Sequence, residues 1–244
     1  MRTTGGIIRS FRIYYGHRDR VTAMDNLYGQ FIGRGDLVFD IGSHVGDRIA
    51  SFCRLGARVI AVEPQPAMVA VLKLLYGRNP AVTIEPVAAG QRAGTVKMMI
   101  NPGNPTVSTT SQEFINAARD APGWEDQRWT KTVEIPMTTV DALIIKYGKP
   151  VFIKIDVEGL EAEVLAGLTQ AVRALSFEFT TIQREVAQAC IERCLTLGYA
   201  RFNGALGESQ VLAYEHWVDG AAIANWLTAL PQAANSGDIY ARLA

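Results

Sequence analysis

Short apolar runs alternate along the chain with longer stretches whose apolar residues recur at helical spacing. The first two runs are LVFDIG at 37–42 and RVIAVE at 58–63, and an amphipathic stretch follows each of them. Such alternation is typical of β-α units around a parallel sheet. We therefore predict an α/β fold in which helices cover both faces of a mostly parallel sheet.

The same pattern places the remaining strands. The run VTIEPVA at 82–88 predicts the third strand, with TVKMMI at 95–100 paired beside it. Later strands are predicted for VEIPM, VFIKID at 151–156, ALSFEF at 174–179, YARFN at 199–203 and SQVLAY at 209–214. DIYARL at 238–243 is expected to return as a C-terminal antiparallel strand. Since no repeat or interdomain linker interrupts the series, residues 1–244 are predicted to form a single domain.

Charge and the first residues of the chain add little to this picture. Residues 1–35 precede the first strand and are interpreted as an N-terminal helical extension. The 24 basic and 24 acidic side chains balance, and neither sign forms a long run. Nucleic-acid binding normally shows as clustered Lys and Arg, so no nucleic-acid partner is expected. The basic set of Arg9, Arg12, Arg18 and Arg20 is interpreted as a solvated helix face.

Cysteine content and hydropathy bear on the cellular compartment. Three cysteines are too few and too scattered for a disulfide framework or a thiolate metal site. Cys190 and Cys194 lie one helical turn apart and are expected to pack as buried thiols. No run approaches the roughly 18 apolar residues of a membrane-spanning helix, and the N-terminus lacks a signal-peptide core. We expect a cytoplasmic protein with no membrane span.

One segment interrupts the alternation of strands and helices. Residues 101–131 are rich in Gly, Pro, Ser and Thr, with one short helix predicted around 112–119 and two tryptophans. Loops of this length are uncommon unless they are functional lids or disordered. We interpret the segment as a functional insert.

The turn after the first strand carries the first candidate chemistry. It reads DIGSHVG over 40–46, where Gly42 permits a tight turn and Gly46 lets the next helix begin close to a ligand. A dinucleotide fingerprint would be G-x-G-x-x-G around a pyrophosphate. Here the carboxylate of Asp40 suits instead the ammonium of an amino-acid moiety. A purely structural glycine turn is an equally frequent alternative.

The second strand ends in another acid. Glu63 is followed by Pro64, Gln65 and Pro66. An acid at the end of this strand can hold both ribose hydroxyls of a nucleoside cofactor, as NAD and S-adenosylmethionine both require. The alternative is a surface glutamate that merely precedes a helix.

Five segments together resemble the FkbM family of S-adenosylmethionine-dependent methyltransferases. They are VFDIGSHVGD at 38–47, VIAVEPQP at 59–66, VAAG at 87–90, TTVDAL at 138–143 and IKIDVEGLEAEVLAGL at 153–168. The resemblance runs from about residue 36 to 179. It implies a class I methyltransferase (Rossmann-like) fold, with S-adenosylmethionine as the cofactor lying across the carboxyl ends of the strands.

The resemblance also assigns residues to the cofactor. It implies that Asp40, Gly42 and Gly46 line the methionine end and that Glu63 holds the ribose. It implies that the Val87-Ala88 segment flanks the adenine, and Ser43, His44 and Pro64 complete the predicted cofactor-binding set. The sequence departs from the family at His44, where asparagine is usual. A neutral imidazole can replace some of that hydrogen bonding.

Members of the family mostly methylate hydroxyls of sugars, glycolipids and polyketides, so the resemblance implies O-methylation of a small-molecule or glycan acceptor. Segment 101–131 then becomes a lid or acceptor-binding insert. Within it, Trp124 and Trp129 either form a platform for a sugar ring or pin the insert onto the domain. The hydroxyls of residues 108–111 are candidate contacts to the acceptor.

Two acids follow the strand VFIKID and are the predicted catalytic residues. An alcohol acceptor must lose its proton, and Asp156 and Glu158 stand beside the expected methyl position. Asp156 can alternatively orient the amino group of the cofactor, and Glu158 can cap the following helix. Two carboxylates spaced i, i+2 are a thin ligand set for an octahedral ion, so no metal is expected.

Two other functions and one ion pair complete the sequence-based expectations. An NAD-dependent oxidoreductase would share the sheet and Glu63, but G-x-G-x-x-G is missing. A non-catalytic cofactor-binding module and a homo-oligomer both remain open. Lys154 lies inside a predicted central strand, where a buried ammonium needs a partner. We expect that partner to be Glu178 in the neighbouring strand.

Overall fold

The computed structural model describes residues 18–244. Of the predicted N-terminal extension, it contains helix α1, Arg18–Tyr28, whereas Arg9 and Arg12 lie outside the described residues. Met24, Leu27 and Tyr28 of α1 are buried in an apolar cluster beneath the sheet. The extension therefore contributes to the core.

Ten strands and seven further α-helices follow. The strands are β1 Leu37–Ile41, β2 Arg58–Val62, β3 Val82–Glu85, β4 Ala88–Ala89, β5 Gly94–Ile100, β6 Lys131–Thr138, β7 Phe152–Ile155, β8 Ala174–Thr180, β9 Arg201–Leu206 and β10 Ser236–Arg242. The helices are α2 Asp47–Arg54, α3 Pro66–Tyr76, α4 Gln112–Arg119, α5 Val140–Tyr147, α6 Glu161–Ala166, α7 Arg184–Thr196 and α8 Gly220–Ala229.

Seven of the strands form the main sheet, in the order β3-β2-β1-β7-β8-β10-β9. Neighbours from β3 to β8 pair in parallel, whereas β10 is antiparallel to both β8 and β9. Apolar side chains form one large cluster on each face of the sheet. The predicted class I methyltransferase fold, including its antiparallel C-terminal strand, is confirmed. The order reverses between β1 and β7, the place where open α/β sheets bind ligands.

The pairing predicted for TVKMMI is wrong. The strand β5 does not lie beside β3; it pairs with β6 in a separate sheet of order β4-β6-β5. The predicted strand 82–88 is divided because Pro86 has no N–H to donate. As a result β3 ends at Glu85, and Ala88 crosses to pair with Met137 of β6.

The strand predicted at 209–214 is also absent between β9 and α8, where Leu212 makes only an isolated bridge to Ala205. The side chain of Asn203 replaces the ladder: it donates to the carbonyl of Tyr214 at 2.8 Å and accepts from its N–H at 3.1 Å. Because these backbone groups are satisfied by an amide side chain, the segment needs no partner strand.

Segment 101–131 contains the expected short helix, α4, which Ser111 caps by accepting from the N–H of Phe114. The rings of Trp124 and Trp129 meet Phe114 edge to face, with centroids 5.5 and 6.4 Å apart. Trp129 also donates its indole N–H to the carbonyl of Val107 at 2.7 Å. Both tryptophans therefore hold the insert together. Opening of this segment as a lid stays a prediction.

The expectation of a solvated basic face is wrong for Arg20. Its side chain is only 11% exposed and pairs with Asp47 at 2.8 Å and Glu208 at 2.6 Å. The cause is the packing of α1 against α2, which begins at Asp47. Cys190 and Cys194 are buried free thiols, as expected. None of the helices between residues 18 and 244 has both the length and the apolar composition needed to cross a bilayer.

Lys154 is buried and ion-paired as expected, but its partner is not Glu178. Its Nζ donates to Asp238 of β10 at 2.8 Å and to Asp156 at 3.2 Å. Lys154 is in register with Ser176 of β8, and β10 pairs with the far side of β8. The small serine side chain leaves room for the long lysine to reach over β8 to Asp238.

This geometry predicts the effect of neutralising Asp238. The variant Asp238→Asn leaves the buried ammonium with Asp156 alone, so we expect the free energy of unfolding to fall by about 3 kcal/mol, the lower end for a broken buried pair. Urea denaturation measures the change, with exposed Asp126→Asn as the matched control. Equal stability of the two variants would contradict the role of the pair.

Candidate active site

A cavity of about 870 Å³ opens at the carboxyl ends of β1, β2 and β7. All the predicted site residues except Gly46 line it: Asp40, Gly42, Ser43, His44, Glu63, Pro64, Val87, Ala88, Asp156 and Glu158. Parallel strands end at the same edge of a sheet, which is why residues so distant in sequence meet here.

Gly42 is required by a close approach of two backbones. It has φ +88°, and a Cβ built on it would lie 1.6 Å from the carbonyl oxygen of Asp156. The N–H of Asp156 in turn donates to the carbonyl of Ile41 at 2.9 Å. The loops after β1 and β7 are thereby packed against each other without a side chain between them.

Gly46 is a glycine for a different reason. It has φ +81°, and a Cβ there would lie 2.6 Å from the ring of Tyr76 and 2.8 Å from Leu72, both on α3. Tyr76 also donates its hydroxyl to the carbonyl of Gly46 at 2.7 Å. Packing against α3 therefore explains why position 46 is a glycine. Gly46 supports the turn through these contacts and does not line the cavity.

Asp40 places an unsatisfied carboxylate oxygen in the site. The residue is 1% exposed, and its Oδ2 is buried without a hydrogen-bond partner in the described part of the chain. Burial raises the pKa of Asp40 to about 7, partly opposed by the charges of Lys154 and Arg48. A buried acceptor of this kind is costly unless a ligand supplies a donor, and a cationic donor such as an ammonium fits best.

Glu63 connects the two loops that surround the cavity. One carboxylate oxygen accepts from the N–H of His44 at 2.8 Å and the other from the N–H of Gln65 at 2.7 Å. Burial raises the pKa of Glu63 to about 7. Each oxygen can accept a second hydrogen bond, so the carboxylate can still bind two hydroxyls.

The two predicted catalytic acids differ in their surroundings. Asp156 has a side chain 31% exposed and paired with Lys154. Glu158 is buried and has φ +58°, a conformation rare for residues other than glycine. Burial and the neighbouring Asp156 charge hold the pKa of Glu158 well above its usual range.

Glu158 is not the acid that holds the start of α6. Glu161 has this role instead, because its carboxylate accepts from the N–H groups of Val157 and Gly159. The backbone of Glu158 is held from the insert, because Thr109 donates its hydroxyl to the Glu158 carbonyl at 2.6 Å. The side chain of Glu158 is therefore not used to stabilise α6, and the residue lines the cavity.

Two groups of lining residues extend the predicted site. The insert contributes the hydroxyls of Thr106, Ser108, Thr109 and Thr110, whereas Ser111 is used as the helix cap. An ionic network of Asp47, Arg48 and Glu208 also lines the cavity, with Arg48 donating to Glu208 at 2.9 Å. Glu208 lies far along the chain beyond β9, and no motif marks it in the sequence.

The strand order, the cavity at the switch point, and acids at the ends of β1 and β2 define a class I methyltransferase. The family model of the FkbM methyltransferase domain matches residues 40–230, and the chain belongs to this family. The family is one of S-adenosylmethionine-dependent methyltransferases. The unsatisfied Asp40 oxygen and the free acceptor positions of Glu63 fit the ammonium and ribose of that cofactor.

Similar proteins include the hexuronic acid methyltransferase AglP of Haloferax volcanii, 26% identical over 161 residues. The match covers 66% of this chain and 62% of AglP, so the chain spans less than two thirds of that relative. Among solved structures, an S-adenosylmethionine-dependent O-methyltransferase of Thermotoga maritima has a TM-score of 0.44 and 11% identity, covering 93% of this chain and 65% of that one. Precorrin-6y C5,15-methyltransferase of Geobacter metallireducens has 0.41 and 12%, with 92% and 87% covered.

The raised pKa of Asp40 predicts a stabilising substitution. The folded state favours its protonated form, which contributes stability fully present below about pH 4 and lost as the pH rises to about 7. Asp40→Asn removes this pH-dependent loss of stability without changing the size of the side chain. Thermal unfolding without cofactor should therefore show a gain in stability that is larger at pH 8 than at pH 5. A variant less stable than the wild type at pH 8 would contradict this account.

Proposed function

We propose that the chain is an S-adenosylmethionine-dependent methyltransferase that acts on a hydroxyl group of a sugar, glycolipid or similar small natural product. The observation that carries the proposal is a single cavity in which two acids suited to the cofactor lie beside a wall of hydroxyls and two further acids. The similarity to a methyltransferase of hexuronic acid supports a sugar acceptor.

In the proposed arrangement the chain holds the cofactor at three places. Asp40 binds the ammonium through its unsatisfied oxygen, and Glu63 binds the ribose hydroxyls. Val87 and Ala88 flank the adenine. When bound, S-adenosylmethionine would supply a methyl group on a sulfonium, in the cavity that Asp156 and Glu158 also line.

The acceptor side is formed by Asp156, Glu158 and the insert. The hydroxyls of Thr106, Ser108 and Thr110 line the cavity there and can bind the neighbouring hydroxyls of a sugar ring. We propose that 101–131 is the acceptor-binding insert. Its apolar contacts hold this wall in place, so the acceptor is oriented before transfer.

The chemical step needs alignment and a proton acceptor. As the oxygen–methyl bond forms, the methyl–sulfur bond breaks and its electron pair stays on sulfur. The hydroxyl proton passes to a carboxylate, and Asp156 and Glu158 are the acids within the cavity on this side. General-base assistance of this kind contributes about 10²–10⁴-fold to a rate.

The acceptor class is tested by transfer of a labelled methyl group to a panel of hydroxylated acceptors. Hexuronic acids, neutral sugars and glycolipids form the panel, and primary amines and RNA are the controls. We expect label in a base-stable ether on at least one sugar and none on the controls. Label on the amines or the RNA, with none on the sugars, would refute the proposed acceptor.

The role of Asp156 is tested by Asp156→Asn. We expect single-turnover methyl transfer to slow by about a hundredfold or more while affinity for S-adenosylhomocysteine stays near the wild-type value, as for a lost base. Asp19→Asn, at an exposed position of α1 outside the cavity, is the control. Weakened cofactor binding with unchanged transfer would assign Asp156 to the ammonium instead. Wild-type values of both would leave Glu158 as the proton acceptor.

A further inference from the structure

Three carboxylates meet between the main cavity, which Asp156 and Glu158 line, and a second, smaller cavity, which Glu178 lines. Oxygens of Asp156, Glu158 and Glu178 all lie within 4.8 Å of one another. Asp156 and Glu158 follow β7, and Glu178 belongs to the neighbouring strand β8. Lys154 pairs with Asp156, whereas the carboxylates of Glu158 and Glu178 make no hydrogen bond or ion pair with any residue in 18–244.

With all three acids ionised, this grouping would carry more negative charge than the chain neutralises. Lys154 is the nearby cation, and its ammonium already contacts Asp238 at 2.8 Å and Asp156 at 3.2 Å. Like charges so close together disfavour ionisation of both acids. A bound cation removes that repulsion and satisfies the carboxylate oxygens at the same time.

A fourth oxygen without a partner, on Gln183, lies beside Gly159, the neighbour of Glu158. The side chain of Gln183, at the start of α7, is only 4% exposed, and its Oε1 has no hydrogen-bond partner among the described residues. An ideal Cβ on Gly159, the neighbour of Glu158, would lie 2.6 Å from this oxygen. Gln183, Gly159 and Glu178 line a second cavity of about 210 Å³.

The conformation of Glu158 is also accounted for by a ligand. Its φ of +58° costs free energy for a residue with a side chain, and the hydrogen bond from Thr109 to its carbonyl maintains that conformation. The strain is consistent with a carboxylate that must be held in one direction.

We propose that Asp156, Glu158, Glu178 and Gln183 bind a hard divalent cation, Mg²⁺ or Mn²⁺, beside the acceptor position. Carboxylate and amide oxygens are the ligands these ions prefer. Two acids spaced i, i+2 are a thin ligand set, but Glu178 and Gln183 complete it from distant segments. The role of the ion rests on the proposed function: it binds the acceptor hydroxyl and eases loss of the proton to a carboxylate.

The test is binding of Mn²⁺ alone to the full chain after treatment with EDTA. Calorimetry and the loss of the free Mn²⁺ electron-spin-resonance signal should both report one site per chain. Glu178→Gln should weaken binding at least about tenfold. The matched control Glu185→Gln, at an exposed position of α7, should bind as the wild type does. If Glu178→Gln fails to fold by circular dichroism, Gln183→Met takes its place with the same expectation.

Absence of Mn²⁺ binding at millimolar concentration overturns the inference, as does unchanged affinity in the folded ligand variant. Mg²⁺ should compete with Mn²⁺ for the site. S-adenosylhomocysteine is titrated in EDTA as a separate arm, because Asp40 and Glu63 lie outside the four ligands. Failure of that arm counts against the proposed function, whereas failure of the Mn²⁺ arm alone counts against the cation site.

Discussion

The buried ammonium of Lys154 joins the central sheet to the active site. It reaches across β8 to Asp238 on β10 and also contacts Asp156 at the edge of the cavity. A charge in the interior of a sheet persists only where partners hold it, so the placement of β10 between β8 and β9 is a condition for Lys154. Through Asp156, the same ammonium determines how much negative charge the cavity retains.

The cavity contains several buried acids whose ionised forms are unfavourable there. Burial raises the pKa of Asp40 and Glu63 to about 7, and burial together with the Asp156 charge holds the pKa of Glu158 well above its usual range. The protein bears this cost without a ligand because the scaffold fixes the side chains: Glu63 by two backbone N–H groups, and Glu158 by its held backbone. A site of this kind favours cationic groups, because their binding offsets the free-energy cost of burying the acids.

Local sequence signals were sufficient for most of the strands, for the turn and for the acids at the strand ends, because these depend on apolar periodicity and on the shared edge of parallel strands. Contacts across the sheet were not accessible in that way. Asp238 replaces Glu178 as the partner of Lys154 because β10 inserts beside β8, and Asn203 replaces a strand because its amide happens to face Tyr214. Glu178 and Gln183 carry no motif, so only the fold brings them to Asp156 and Glu158.

The excess of acids also gives a physical reason for the choice of cofactor. NAD and S-adenosylmethionine both present a ribose to Glu63, and the sheet alone does not distinguish them. A pyrophosphate, however, would have to lie near Asp40, whose charge repels it, and the turn lacks the glycine spacing that offers N–H groups to phosphate. An ammonium and a sulfonium meet attraction at the same positions. In the proposed arrangement the discrimination therefore lies in the sign of the charge at the end of β1, which Asp40 sets.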